Sequence, residues 1–208
     1  MKLRSYRVFG KKSEGASNFA IIKAIDRAVA DGCDLINMSL GGGTPDDATR
    51  AAMEDARAGG ALVIVASGND GRKPVSFPAA DSMAIAVSAT GRVGTFPKDS
   101  TASGEIMAPY GKDKKNFIAA FSNVGPEIDV TGAGVDILST VPGGYAPLSG
   151  TSMACPAVTG VAAKLLAQHT NILSMARDQT RSDAIAQLLL QSAKPLGFGA
   201  RFEGQGML

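Results

Sequence analysis

The segment Ser149-Gly150-Thr151-Ser152-Met153-Ala154-Cys155-Pro156 puts a serine in the first turn of a helix built from small residues. A hydroxyl there lies in the positive end field of the helix, beside backbone N–H groups without an intrahelical acceptor, where a developing oxyanion could be received. An ordinary Ser/Thr helix cap produces the same pattern, and spacing alone does not separate the two. A serine nucleophile also needs a base to take its proton. The one histidine, His169, follows Ser152 on what reads as a single continuous helix. At about 1.5 Å per residue it lies roughly 25 Å away, too far to act, and a basic residue near a helix C-terminus explains it. Lys164 is about three turns on and offers no substitute. Cys33 and Cys155 are far apart without metal-ligand spacing, so both read as small buried hydrophobes.

The elements that must carry Ser152 follow from periodicity. The first ten residues, with Leu3, Ser5 and Arg7 alternating against Tyr6, Val8 and Phe9 and ending at Gly10, read as a strand entered with almost no lead-in. Ser17 caps a helix from about Asn18 to Ala30 with Phe19, Ile22, Ile25, Ala28 and Val29 on one face. A buried strand Leu35 to Met38 follows, then a helix to about Ala58 for which Thr44 serves as cap and Pro45 as first-turn residue. The unbroken apolar run Leu62 to Ala66 has the character of a central parallel strand, and Ala84 to Val87 of another. Residues 91–116, including Lys112 to Lys115, read as a long exposed loop. Short strands at Ile128–Val130, Val135–Leu138 and Tyr145–Leu148 precede a helix from Thr151 to His169 and a last one near Ser182 to Ser192.

Strands alternating with helices predict an α/β fold, a doubly wound and mostly parallel sheet with helices on both faces, in a single domain spanning 1–208. Ligand sites in such sheets lie beyond the strand C-termini, where this chain places Ser39 to Gly43 and Ser67 to Gly71. Of 208 residues, 45% are hydrophobic and 19% charged, with a net charge of +2. That balance fits a packed globular domain and gives no electrostatic footprint for nucleic acid or a membrane surface. Aromatic residues, at 5%, are too few for base-stacking platforms. Met1 to Gly10 carry basic residues without a signal-peptide apolar stretch, and no run of about 18 apolar residues suggests a membrane span. The compartment is left open.

Gly150-Thr151-Ser152-Met153-Ala154 followed by Pro156 resembles the nucleophile segment of the subtilisin-like serine peptidases. Blocks from Val29 to Gly41, Val63 to Asn69, Phe121 to Val130 and Gly204 to Leu208 match in the right order. The resemblance implies that Ser152 is the nucleophile and Asn69 the side-chain oxyanion donor, whereas the residues alone make Asn69 a turn-former before Asp70-Gly71. It implies further that Ser39-Leu40-Gly41 pairs with an extended peptide or protein substrate, with Gly68 and Thr151 beside it; a plain strand-end turn explains the same glycines.

In that family the chain order is Asp, His, Ser, and both partners of Ser152 would precede the first strand here. The expectation is therefore an incomplete subtilisin-like fold, inactive until a complementing N-terminal segment supplies Asp and His. A non-catalytic peptide-binding module is the alternative. Ala157 departs from many members, which carry a second, structural histidine there. Members often bind calcium through loop carbonyls near Phe77 to Ala84, but a carboxylate cluster is missing, so no cofactor is expected.

Overall fold

The structure is a computed structural model describing residues 1–11 and 15–208. Helix α1 (Asn18–Ala30) starts where Ser17 Oγ accepts the Ala20 N–H at 3.2 Å, and it buries Ile21, Ile25 and Ala28. Phe19, expected on that face, is 71% exposed. Two residues from Ile21, it lies about 200° around the helix and takes Lys23 over its ring instead.

Strands β1 (Leu35–Met38), β2 (Leu62–Ala66) and β3 (Ala84–Arg92) form a parallel ladder in that order. The short β4 (Asn116–Ile118) joins β3 antiparallel, and β5 (Ile128–Ala133) joins it parallel. Along β2 the side chains divide with period two. Val63 and Val65 enter a core with α1 and α2 (Asp47–Ala58), while Leu62, Ile64 and Ala66 enter a second core with α3 (Thr151–Gln168). Helices therefore cover both faces, as the apolar run in β2 predicted. A separate antiparallel hairpin, β6 (Ile137–Val141) with β7 (Gly144–Leu148), leads into α3. The chain ends through α4 (Thr170–Leu173), α5 (Gln179–Ser192) and α6 (Ala200–Glu203).

Three local expectations are corrected. Residues 3–9 form no strand: among the described residues their one ladder contact is the Phe9–Ala16 bridge, and Leu3 is 88% exposed. A strand needs a neighbour for its N–H and C=O groups, and among the described residues β1 pairs only with β2. What holds the segment is Tyr6, whose hydroxyl donates to Asp31 Oδ2 at 2.7 Å. Helix α2 starts on Asp46, not Thr44, because Asp46 Oδ2 accepts the Thr49 N–H at 2.8 Å. Finally, residues 91–116 are not wholly exposed. Phe96 and Ala102 are buried, and Phe96 meets Phe117 edge-on with centroids 6.3 Å apart. Single apolar residues scattered among polar ones carry no periodicity, which is why their burial was not legible.

Two glycines set how closely the nucleophile helix approaches the sheet. A Cβ on Gly132 would stand 2.7 Å from Ala154 O, and one on Gly134 2.9 Å from Gly150 O. Gly150 N–H in turn donates to Gly134 O at 2.8 Å, tying the turn before α3 to the end of β5.

Asp129, on β5, accepts the Ala86 N–H at 2.8 Å from inside the sheet. Burial pushes its carboxyl up to about 6, opposed by that hydrogen bond and by the charge of Arg57. The folded state thus holds this proton more tightly than the unfolded chain, whose carboxyl titrates near 3.8. The stability it contributes is complete below that value and is lost as pH rises through about 6. Asp129→Asn, which keeps the acceptor oxygen, is expected to gain about 2–3 kcal/mol relative to the parent between about pH 4 and pH 7. Urea unfolding of both proteins across that range checks it; a difference independent of pH would contradict the assignment.

Candidate active site

The site forms where the turn after β2 meets the start of α3. Gly68 has φ +108°, and a Cβ there would stand 2.4 Å from both Asn123 Nδ2 and Ser76 Oγ, so only glycine fits. The next residue, Asn69, has its amide oriented by Thr151. Asn69 Oδ1 accepts the Thr151 N–H at 2.8 Å and the Thr151 hydroxyl at 2.9 Å. The fully buried Thr151 hydroxyl also receives the Gly68 N–H at 3.3 Å. With its oxygen committed to two donors, the amide presents Nδ2 on the other side. Nδ2 and the Ser152 backbone nitrogen each stand 3.7 Å from one point, the place a Cβ on Gly150 would occupy. Two N–H donors therefore border a common space at the N-terminus of an 18-residue helix.

Ser152 is the second residue of α3 and is half-buried. Its carbonyl accepts the Ser39 hydroxyl at 3.0 Å, and Ser39 Oγ receives Asn37 Nδ2 at 3.1 Å. Two turns further on, Thr159 donates to Asn37 Oδ1 at 3.0 Å. These bonds tie the exposed end of β1 to the first three turns of α3. Below them Cys155 is fully buried, and burial pushes its thiol up to about 12, so it fills space and is no nucleophile. Cys33 is half-buried, with Sγ 3.6 Å from the Tyr6 hydroxyl.

A pocket of about 340 Å³ opens beside Ser152. It brings together Leu40, Gly41, Gly68, Asn69, Thr151 and Ser152, every residue singled out from the sequence except Ser39, which sits behind the serine. Two further lining residues, Asp70 and Ser76, had no motif to announce them. Asn123 lies in the matched block Phe121 to Val130, which gave it no role; it is fully buried, accepts the Asp70 N–H at 2.8 Å and donates to Asp70 Oδ2 at 2.7 Å. Its partner lies 53 positions away, beyond any local signal. His169 caps the far end of α3, its Nδ1 2.8 Å from Leu165 O, a helix length from Ser152.

Among the described residues no group of three or more His, Cys, Asp or Glu side chains could hold a metal ion. In the segment 77–84 the carbonyls of Phe77, Pro78, Asp81 and Ser82 already accept internal hydrogen bonds. Its carboxylate, Asp81, is engaged by Met83 N–H and Arg50. No helix of the described residues is long and apolar enough to cross a membrane. A second cavity of about 350 Å³, on the side of α2 and α5, contains the Arg57–Asp183 ion pair and glutamine side chains but no nucleophile.

A serine at a helix tip, with a side-chain amide and its own N–H bordering one space beyond the ends of a parallel sheet, is an arrangement able to receive an oxyanion beside a nucleophile. The chain belongs to the subtilase family of serine peptidases, whose family model matches residues 1–207. It is 36% identical over 186 residues to subtilisin NAT of Bacillus subtilis subsp. natto, covering 86% of this chain and 43% of that protein. To alkaline elastase YaB of Bacillus sp. (strain YaB) it is 38% identical over 161 residues, covering 75% of this chain and 37% of that one. Among solved structures, the patellamide maturation protease PatA superposes with a TM-score of 0.73 at 30% identity, covering 97% of this chain and 69% of that chain. The prenylagaramide maturation protease PagA gives 0.71 at 29%, covering 97% and 68%. The chain thus spans under half the length of these curated relatives.

Proposed function

We propose that this chain is the nucleophile-bearing part of a serine endopeptidase, acting on peptides or proteins, and that it needs a histidine and an aspartate from a segment outside these residues. The carrying observation is the Thr151–Asn69 lock, which aims the Asn69 Nδ2 into the space beside the Ser152 N–H. A peptide-binding module has no chemical use for that orientation.

In the proposed reaction Ser152 Oγ attacks the scissile carbonyl carbon and its proton passes to the supplied imidazole. The carbonyl oxygen, now an oxyanion, receives Asn69 Nδ2–H and Ser152 N–H. Collapse breaks the C–N bond, the amine leaves with the proton from the imidazole, and water then hydrolyses the Ser152 ester. Leu40 and Gly41 border the cleft on the side where an extended substrate backbone could align, and Ser39 fixes the helix through the Ser152 carbonyl. His169 is remote from this chemistry, and it is the chain's one histidine.

The test mixes the chain with a polypeptide carrying the family's Asp and His segments and follows a peptide amide substrate together with fluorophosphonate labelling of Ser152. Turnover confined to the mixture, and abolished by Ser152→Ala, is expected. Turnover by the chain alone would remove the need for a supplied base. Saturable peptide binding with no turnover and no labelling in the mixture would favour the non-catalytic binding module instead.

A further inference from the structure

The pocket beside Ser152 has a chemical bias, and reading it as a substrate subsite rests on the peptidase function proposed above. Of its ten lining residues Asp70 is the one that carries a charge. Asp70 forms no ion pair among the described residues; its Oδ2 accepts one hydrogen bond, from Asn123 Nδ2. Arg72, two residues on, is turned away, donating to Ile118 O and stacking on Phe202 at 5.5 Å.

Apart from the Ser152 hydroxyl, which the attack itself uses, the pocket's other side chain with a free polar atom is Ser76. It sits between the two glycine segments, its Oγ 3.3 Å from the Cβ position of Gly41 and 2.4 Å from that of Gly68. The Ser76 hydroxyl already donates to Ser67 O at 2.9 Å, so what it has left for a ligand is an acceptor lone pair. The Asp70 carboxylate can only accept. Asn69 and Thr151 have their hydrogen-bonding groups committed to each other and to the oxyanion space. Away from the attacking serine and the oxyanion donors, the pocket thus offers acceptors and one uncompensated negative charge, which suit a group that is a cation and a pure donor: the lysine ammonium or the arginine guanidinium.

Geometry says which substrate residue would supply it. The pocket touches both Ser152 and Asn69, and the residue whose carbonyl is attacked carries its side chain two bonds from the attacked carbon. We infer that the Asp70–Ser76 pocket receives a cationic side chain from the residue on the acyl side of the scissile bond, so that this peptidase cleaves after Lys or Arg.

The test has two readouts on the full chain. First, N-acetylated tetrapeptide acids differing only in a C-terminal Lys, Leu or Glu are titrated by calorimetry; such acids resemble the acyl product and need no catalytic base to bind. The Lys peptide is expected to bind roughly five-fold tighter than the Leu peptide, the scale of one solvent-exposed ion pair, and the Glu peptide weakest. The Lys advantage should shrink at high salt, disappear in Asp70→Asn and persist in Asp70→Glu. Second, in the mixture with the Asp- and His-bearing segments, kcat/KM for amide substrates should follow the same order. Equal or tighter binding of the Leu peptide, a Lys preference that survives Asp70→Asn, or no saturable binding of any of the three would overturn the inference. Loss of the peptidase reading is seen separately, as absent fluorophosphonate labelling of Ser152 in the mixture, a reaction that does not depend on the terminal side chain.

Discussion

Replacing Asn69 by Ala in the complemented enzyme is expected to lower kcat by a factor of about 10²–10³ while KM changes little; that size is the one known for the side-chain oxyanion donor of subtilisin itself and is carried over from it. The reason is differential binding. Nδ2 faces the space the oxyanion would enter, so its hydrogen bond gains strength only as the carbonyl oxygen becomes charged. Thr151 makes the effect specific, because its N–H and hydroxyl fix which end of the amide is presented. Steady-state kinetics on a peptide amide, with urea unfolding of the same variant alongside, separates catalysis from folding. A fall of less than three-fold, or a loss of activity matched by a loss of stability, would remove Asn69 from the catalytic role.

Glu203→Ala is expected to cost about 3–5 kcal/mol of folding stability, the range of a removed charge whose buried partners stay behind. Glu203 is 3% exposed and closes a loop by accepting four backbone donors. Its Oε1 takes the N–H groups of Gly197, Phe198 and Gly199 at 2.9, 2.8 and 3.2 Å, and Oε2 takes that of Leu196 at 2.7 Å. Alanine would orphan all four. Glu203→Gln should cost less, since its one oxygen can still accept while its NH₂ meets a donor. The damage should spread to β5, because the same tail donates Gln205 N–H to Asp129 O and accepts Thr131 N–H at Gly206 O. Chemical denaturation measures the loss, and a value under about 1 kcal/mol would mean that the loop reorganises to satisfy itself.

The α/β alternation was legible because its signals are local. Leu62 to Ala66 is apolar at every position and is fully covered. Ser17 marks a helix start because its side-chain oxygen meets an N–H of the first turn. The segment 3–9 shows the boundary of that logic. Alternation makes a strand possible, but the ladder needs a neighbour, and among the described residues it has none beyond one bridge. The short β4 and the burial of Phe96 were hidden for a related reason, being decided by what packs on them and not by their own periodicity.

For the site, the residue types around Ser152 were enough to mark a helix-tip serine, and the match of several ordered blocks pointed to Asn69, Ser39, Leu40 and Gly41. Chain position could not reveal that Thr151 orients Asn69 across 82 residues, that Asn123 holds Asp70 across 53, or that Ser76 lies between two glycine turns. By itself the sequence determined which residues could attack, cap or span the sheet, since those properties reside in side-chain chemistry and in spacings of a few residues. Only the tertiary structure decided which way an amide faces, which charge stays unpaired and how deep the pocket beside the serine is. Those are matters of orientation between segments remote in the chain, where a hydrogen bond or a missing Cβ acts over ångströms and leaves no local pattern.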